Sequence, residues 1–185
     1  MSNFQIYNKN YERNKIPSDL NQMNLKGLVY YWPVFNSSTN DIVSRADLYD
    51  PINARFISNR FGIPNSAISL SSNNTVIVIL SNGVSNKPQI TINTEKYSEF
   101  NVISETPLEI GVWNHLTFTF KNGLGSYYKN GVLDHQGALE YPANILRTKC
   151  FLGKSLFIQD PDASADFDDI KLFNRALDKD EIQLE

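Results

Sequence analysis

The sequence predicts an all-β protein, an antiparallel β-sandwich of the jelly-roll kind with a short C-terminal helix. Two observations predict it. Val, Ile, Thr, Tyr and Phe fill the apolar segments, the residues that suit a pleated, half-buried surface. Strand-length runs, roughly ten of them, recur between turn signals about every 8–12 residues. A chain of 185 residues is long enough to bury a sizeable core in one domain. Its 41% hydrophobic and 12% aromatic content is that of a globular chain rather than a disordered one.

Residues 1–24 are polar and read as an N-terminal arm or linker, which leaves residues 25–185 for the domain. Leu25–Phe35 is the first clear strand; Pro33 lacks an amide hydrogen and marks its edge or end. Asn36–Asp41 is a turn cluster, and Ile42–Tyr49 and Ala54–Ile57 are weaker strand candidates. Ala67–Leu70, Thr75–Leu80, Gln89–Asn93 and Asn101–Ser104 follow as short strands. In Trp113–Phe120 the pattern alternates: Leu116, Phe118 and Phe120 share one face, and Trp113, His115, Thr117 and Thr119 the other. Lys121–Gly125 is a Gly-containing hairpin loop. Asn130-Gly131, between Ser126–Lys129 and Val132–His135, is a strong type I′ hairpin signal. Thr148–Gly153 and Ser155–Ile158 are further strands. The strand residues Phe167, Ile170, Leu172 and Phe173 precede a short amphipathic helix over Ala176–Leu184.

Charge and composition exclude several classes. Net charge is −3 and no Lys/Arg cluster occurs, so a nucleic-acid footprint is absent from the sequence. The longest apolar run, Val76–Leu80, is too short to enter a bilayer as a span. A single cysteine, Cys150, allows no intrachain disulfide and reads as a core thiol. Met1–Leu20 has no apolar stretch of the signal-peptide kind, so an extracellular role implies a larger parent protein.

Five segments in order resemble the laminin-G-like, or concanavalin A-like, jelly-roll family. They are Gly27–Phe35, Arg60-Phe-Gly62 with Ala67–Leu70, Gly111–Phe118 leading into Tyr127–Leu133, Phe151–Gly153, and Phe167–Leu177. The resemblance covers residues 25–184. It implies two packed antiparallel sheets and a non-catalytic binding or adhesion module of an extracellular protein. The partner it implies is a glycan first, and a protein adhesion ligand as the alternative. A glycosidase-like sandwich without activity is a further alternative. In similar domains one or two more strands containing a Trp follow Ala67–Leu70. Here Leu70–Asn74 runs directly into Thr75–Leu80, as if a segment were missing after about residue 72, and a truncated product is the corresponding expectation.

The candidate chemistry is concentrated in Asp160, Asp162, Asp166, Asp168 and Asp169, with no Lys or Arg between Lys154 and Lys171. Crowded carboxylates repel one another unless solvent or a cation screens them, and such hard oxygen ligands suit Ca²⁺. An EF-hand is excluded, because Ala165 and Lys171 stand where its loop needs Gly and Glu. The family resemblance instead implies a structural Ca²⁺ at Asp168, and Asp166 would share its face on a continuous strand. The alternative is a solvated acidic loop, with Asp169 facing water. Glycoside hydrolysis needs two carboxylates close across a cleft; no strand offers such a pair, so no enzyme is expected. His115 reads as a satisfied strand residue, and His135 is too distant in sequence to complete a Zn²⁺ site. Tyr97, Phe100, Tyr127 and Tyr128 are candidates for stacking on a sugar or protein, although Tyr127 and Tyr128 must face opposite ways. Asn36 and Asn73 head N-glycosylation sequons that matter only on a secretory route.

Overall fold

The computed structural model of the protein describes residues 3–6, 26–48, 54–70, 86–93, 99–141, 152 and 164–184. In chain order the strands are β1 (Asn3–Ile6), β2 (Leu28–Trp32), β3 (Ala54–Ile57), β4 (Ala67–Leu70), β5 (Gln89–Asn93), β6 (Glu99–Ile103), β7 (Leu116–Lys121), β8 (Leu124–Lys129), β9 (Val132–Ala138), β10 (Ala165–Phe167) and β11 (Ile170–Phe173), followed by helix α1 (Lys179–Leu184). A six-stranded sheet has the order β2-β11-β1-β7-β8-β9, a three-stranded sheet the order β10-β4-β3, and β5-β6 form a separate pair. All pairings are antiparallel.

The core lies between the large sheet and the two smaller ones. Leu116, Tyr127 and Ile170 of the large sheet meet Phe167 of β10, with Leu70 and Ile90 packed against them. A second cluster joins Phe118, Phe120 and Leu139 to Val102 of β6. Gly125 and Gly137 are paired across β8 and β9 and let these side chains sit close. A Cβ on Gly125 would collide with Leu139, and one on Gly137 would lie 3.3 Å from Val102. This is the predicted all-β antiparallel sandwich with one short C-terminal helix. Among the described residues no helix is long and apolar enough to cross a membrane.

The structure differs from the sequence expectations in particular places. Residues 1–24 are not set apart as an arm throughout: β1 pairs with both β11 and β7 in the middle of the large sheet. Asn3-Phe4-Gln5-Ile6 carries the period of two, but four residues inside a polar stretch hide it. The stretch from Ile42 to Leu48 is not a strand but a loop built on Asp41. The buried Asp41 carboxylate accepts from the amides of Tyr31 (2.8 Å), Val43, Ser44 and Ala46 (each 3.0 Å), and its own amide donates to Asp47. Burial alone would raise its pKa, but these amides hold it below the ordinary carboxylate value. Lys121–Gly125 is not an open loop. Asn122 and Gly123 form a two-residue turn, both at positive φ (53° and 77°), matching Asn130 and Gly131 (52° and 77°) in the next hairpin.

The helix starts later than expected, because Asp178 caps it. Its carboxylate accepts from the Glu181 amide and Glu181 reaches back to the Asp178 amide, each at 2.9 Å. Phe173, Leu177 and Ile182 then cover one patch of the large sheet's outer face. The expected strands Thr75–Leu80, Ser155–Ile158 and Thr148–Gly153 (apart from Leu152), the apparent gap after residue 72, and Cys150 lie outside the described residues.

Candidate functional site

The acidic corner comes first, since the sequence pointed to it. The final strand is not continuous. The chain leaves the three-stranded sheet after Phe167 and enters the six-stranded sheet at Ile170, with Asp169 in the left-handed region at φ 49°. Strands that switch sheets turn through such corners. Asp166 and Asp168 therefore do not share a strand face: Asp166 is exposed on β10, while Asp168 is buried at the corner. Asp169 does not face water either, as it is 5% exposed.

A cation already serves both inward carboxylates. Arg60 donates from Nη1 to Asp168 Oδ2 at 2.8 Å and from Nη2 to Asp169 Oδ2 at 2.7 Å. The Tyr31 hydroxyl donates to Asp169 Oδ1 at 2.6 Å, and the buried Lys171 ammonium lies 4.6 Å from the centre of the Tyr31 ring. Burial and the adjacent Asp169 push the Asp168 carboxyl up to about 8, against the pull of Arg60. His115, also buried, is pushed down to about 4 by burial and then by Lys171 and Arg60. Its backbone amide donates to Asn130 Oδ1 at 2.8 Å and ties the start of β7 to the Asn130-Gly131 turn. With Arg60 seated on it, Asp168 does not fit the calcium ligand expected of it. Among the described residues no three His, Cys, Asp or Glu side chains gather as a metal set. This corner holds the two layers together.

The other candidate is a groove on the outer face of the large sheet, and it is built by register. Thr119 pairs with Ser126, and Ser126 with Gln136, so these three lie in one row across β7, β8 and β9. The parity of the strands sets them opposite the core-facing Phe118, Phe120 and Tyr127. Lys121 pairs with Leu124 in the next row, and Tyr128 pairs with Thr117 on the other side. A one-residue irregularity makes this work. Tyr127 pairs with His135 but Tyr128 with Leu133, so Asp134 is the extra residue of a bulge in β9. Asp134 is held by the hydroxyls of Ser104 (2.6 Å) and Thr106 and by the Glu105 amide (2.8 Å), away from the groove.

The groove has a volume of about 450 Å³ and is lined by Thr119, Lys121, Asn122, Leu124, Ser126, Tyr128, Gln136, Ala176 and Leu177. Its wall, Ala176–Leu177, is fixed by Arg175, which donates to both Glu181 oxygens (2.6 and 2.7 Å) and to the Lys26 carbonyl (2.6 Å). Thr119 is 6% and Ser126 8% exposed, yet neither hydroxyl has a hydrogen-bond partner among the described residues; nor do the Gln136 amide and the Tyr128 hydroxyl. None of these atoms is among the fully buried unpaired ones, which are Arg60 Nε and Tyr127 Oη, so the row opens to the groove and can meet hydroxyl groups from outside. Among the described residues no carboxylate lines the groove.

Of the stacking candidates, Tyr127 is in the core and Tyr128 is half-buried in the groove, on opposite faces as alternation required. Tyr97 lies outside the described residues, and Phe100 is placed only by its backbone in β6. Thr119, Ser126, Gln136 and Lys121 were not singled out from the sequence. The run of threonines on the outer face of β7 was the one available signal. Asn36 is exposed at the tip of the tight Phe35–Ser38 turn; Asn73 lies outside the described residues.

Two facing antiparallel layers, a sheet-switching corner and a helix-capped outer face are on hand, and the sequence description of the concanavalin A-like lectin/glucanases superfamily matches residues 58–183. The chain belongs to that superfamily. Among solved structures this superfamily member is similar to the binding domain of Paraclostridial Mosquitocidal Protein 1, with a TM-score of 0.60 and 12% identity over 85% of this chain and 51% of the other. It is similar to Domain 4 of AbnA, a GH43 extracellular arabinanase from Geobacillus stearothermophilus, solved in complex with arabinotriose (TM-score 0.52, 14% identity, 84% and 96%). It is also similar to the botulinum neurotoxin serotype D binding domain (TM-score 0.55, 12% identity, 85% and 51%). The chain spans about half the length of the two toxin binding domains. No curated protein matches it in sequence.

Proposed function

We propose that this chain is a non-catalytic carbohydrate-binding module that takes a glycan in the groove over β7, β8 and β9. The observation that carries the reading is the row Thr119–Ser126–Gln136, three hydrogen-bonding side chains without a partner among the described residues, beside the Tyr128 ring. A sugar presents hydroxyls to such a row and an apolar ring face to an aromatic side chain. Among the described residues the groove has no carboxylate to act as acid, base or nucleophile, which favours binding over hydrolysis. The Geobacillus domain seen with arabinotriose gives the reading a precedent on the same fold, and an extracellular setting accords with it. Fold by itself does not assign function.

The test is calorimetric titration and a glycan array with the wild-type chain and Ser126→Leu, which fills the groove floor from the outer face. The expected result is binding by the wild-type chain and at least a tenfold loss in the variant, with an unchanged thermal midpoint. Full affinity in the variant would move the site elsewhere. Absence of any saccharide binding would favour protein adhesion, for which Ile110, 94% exposed between β6 and β7, is the supporting observation.

A further inference from the structure

We infer that the groove selects an acidic saccharide, one carrying a carboxylate or sulfate, with Lys121 as the residue that reads the charge. This rests on the carbohydrate-binding reading above and adds a ligand class to it.

The inference begins from charge. The chain is acidic overall, at net −3, yet among the described residues Lys121 is the one charged side chain lining the groove. Lys121 is exposed and has no ion-pair or hydrogen-bond partner among the described residues. Among the described residues the nearby carboxylates are engaged or do not line the groove, the exposed Asp180 of α1 among the latter. Glu181 is held by Arg175 at 2.6 Å, Asp178 caps α1, and Asp134 is held by Ser104 and Thr106. Glu140 is exposed beyond the end of β9 and does not line the groove.

Position supports the same conclusion. Lys121 follows Thr119 by two residues on the same face of β7, about 7 Å along the strand at the usual rise. A sugar whose hydroxyls meet Thr119 and Ser126 therefore holds a substituent of one ring within reach of the lysine. The four-carbon stem of Lys121 places a compact ammonium with three donors there, which suits either a carboxylate or a sulfate. Two near neighbours temper any like-charge crowding: Asn122 is neutral and Leu124 apolar.

The experiment titrates wild type and Lys121→Gln with three probes: a neutral arabino-oligosaccharide, an oligogalacturonate of equal length, and a heparin-derived tetrasaccharide. For the wild-type chain at low salt, an acidic probe binds roughly tenfold more tightly than the neutral one, the scale of one charge-assisted contact. The preference shrinks in 0.5 M salt, where the Debye length is only about 4 Å. Lys121→Gln removes the acidic preference, so that acidic and neutral probes bind the variant with similar affinity. Preference for the uronate identifies a carboxylate, and preference for the heparin fragment a sulfate. Equal affinity for neutral and acidic probes, or an acidic preference that survives Lys121→Gln, overturns the inference while the groove reading stands. No binding of any probe overturns both.

Discussion

Arg60→Met is the perturbation that most directly tests how the fold is held. Arg60 is the guanidinium that reaches both Asp168 (2.8 Å) and Asp169 (2.7 Å), and its side chain is 6% exposed. Methionine keeps much of the stem volume and removes the charge, leaving two adjacent buried carboxyl groups with the Tyr31 hydroxyl on Asp169 and the Asn59 side chain and Asp169 amide on Asp168 as their remaining partners. Removing one partner of a buried ion pair costs about 3–5 kcal/mol, because the remaining charge is uncompensated. That is a large part of the roughly 5–15 kcal/mol total of an ordinary domain, and corresponds to a fall of roughly 10 °C in Tm. Urea unfolding followed by tryptophan fluorescence and far-UV circular dichroism measures it. Adding Asp168→Asn and Asp169→Asn to Arg60→Met should restore most of the loss, since polar but neutral groups replace the stranded charges. The cost of Arg60→Met should also shrink at pH 5, where Asp168 takes a proton readily. A loss below about 1 kcal/mol at pH 8, or no recovery in the triple variant, would refute the account.

Two further predictions concern the same corner. Asp168 in the folded chain stands at about 8, above its ordinary 3.8, so its contribution is full below pH 4 and is lost as pH rises through 8. His115, lowered from 6.5 to about 4, contributes fully above 6.5 and loses that as pH falls through 4. The two oppose each other between pH 4 and 6.5, which leaves Asp168 alone from 6.5 to 8. Urea stability should fall across that window by up to about 1.4 kcal/mol per pH unit, and Asp168→Asn should flatten the slope; a slope that persists in the variant counts against it. Calcium is answered by a melt of the full chain with Ca²⁺ and then with chelator. Because Arg60 already occupies Asp168 Oδ2 at 2.8 Å, the midpoint should not move, and a rise with Ca²⁺ abolished by Asp168→Asn would restore the calcium ligand.

The strands were legible where side-chain alternation and turn chemistry agreed. Ala54–Ile57, Ala67–Leu70 and Gln89–Asn93 lie where β-branched and apolar residues placed them, and Asn130-Gly131 makes its hairpin. What escaped was set by contacts distant in sequence. Asp41 looks like one more turn residue until four amides converge on it, and Asp168 looks like a free metal ligand until Arg60, 108 residues earlier, is folded against it. A carboxylate's chemistry depends on what faces it, and a linear reading holds only its neighbours in the chain.

The groove was illegible for a related reason. Ser126 and Gln136 are ordinary polar residues in the sequence, and nothing local distinguishes them from solvent-facing strand positions. They become a site through pairing: the Asn122-Gly123 turn puts Ser126 beside Thr119, and the Asp134 bulge sets Gln136 against Ser126 while Tyr128 stays on the same face. Had β9 run without the bulge, Gln136 would still pair with Ser126, but Asp134 rather than Leu133 would oppose Tyr128 on the outer face. A carboxylate would then stand beside the groove. By taking Asp134 out of that register and fastening it to Ser104 and Thr106, the bulge keeps that carboxylate out of the groove, where Lys121 is the one charged side chain among the described residues. The irregularity that strand periodicity could not foresee thus sets the electrostatic character of the site.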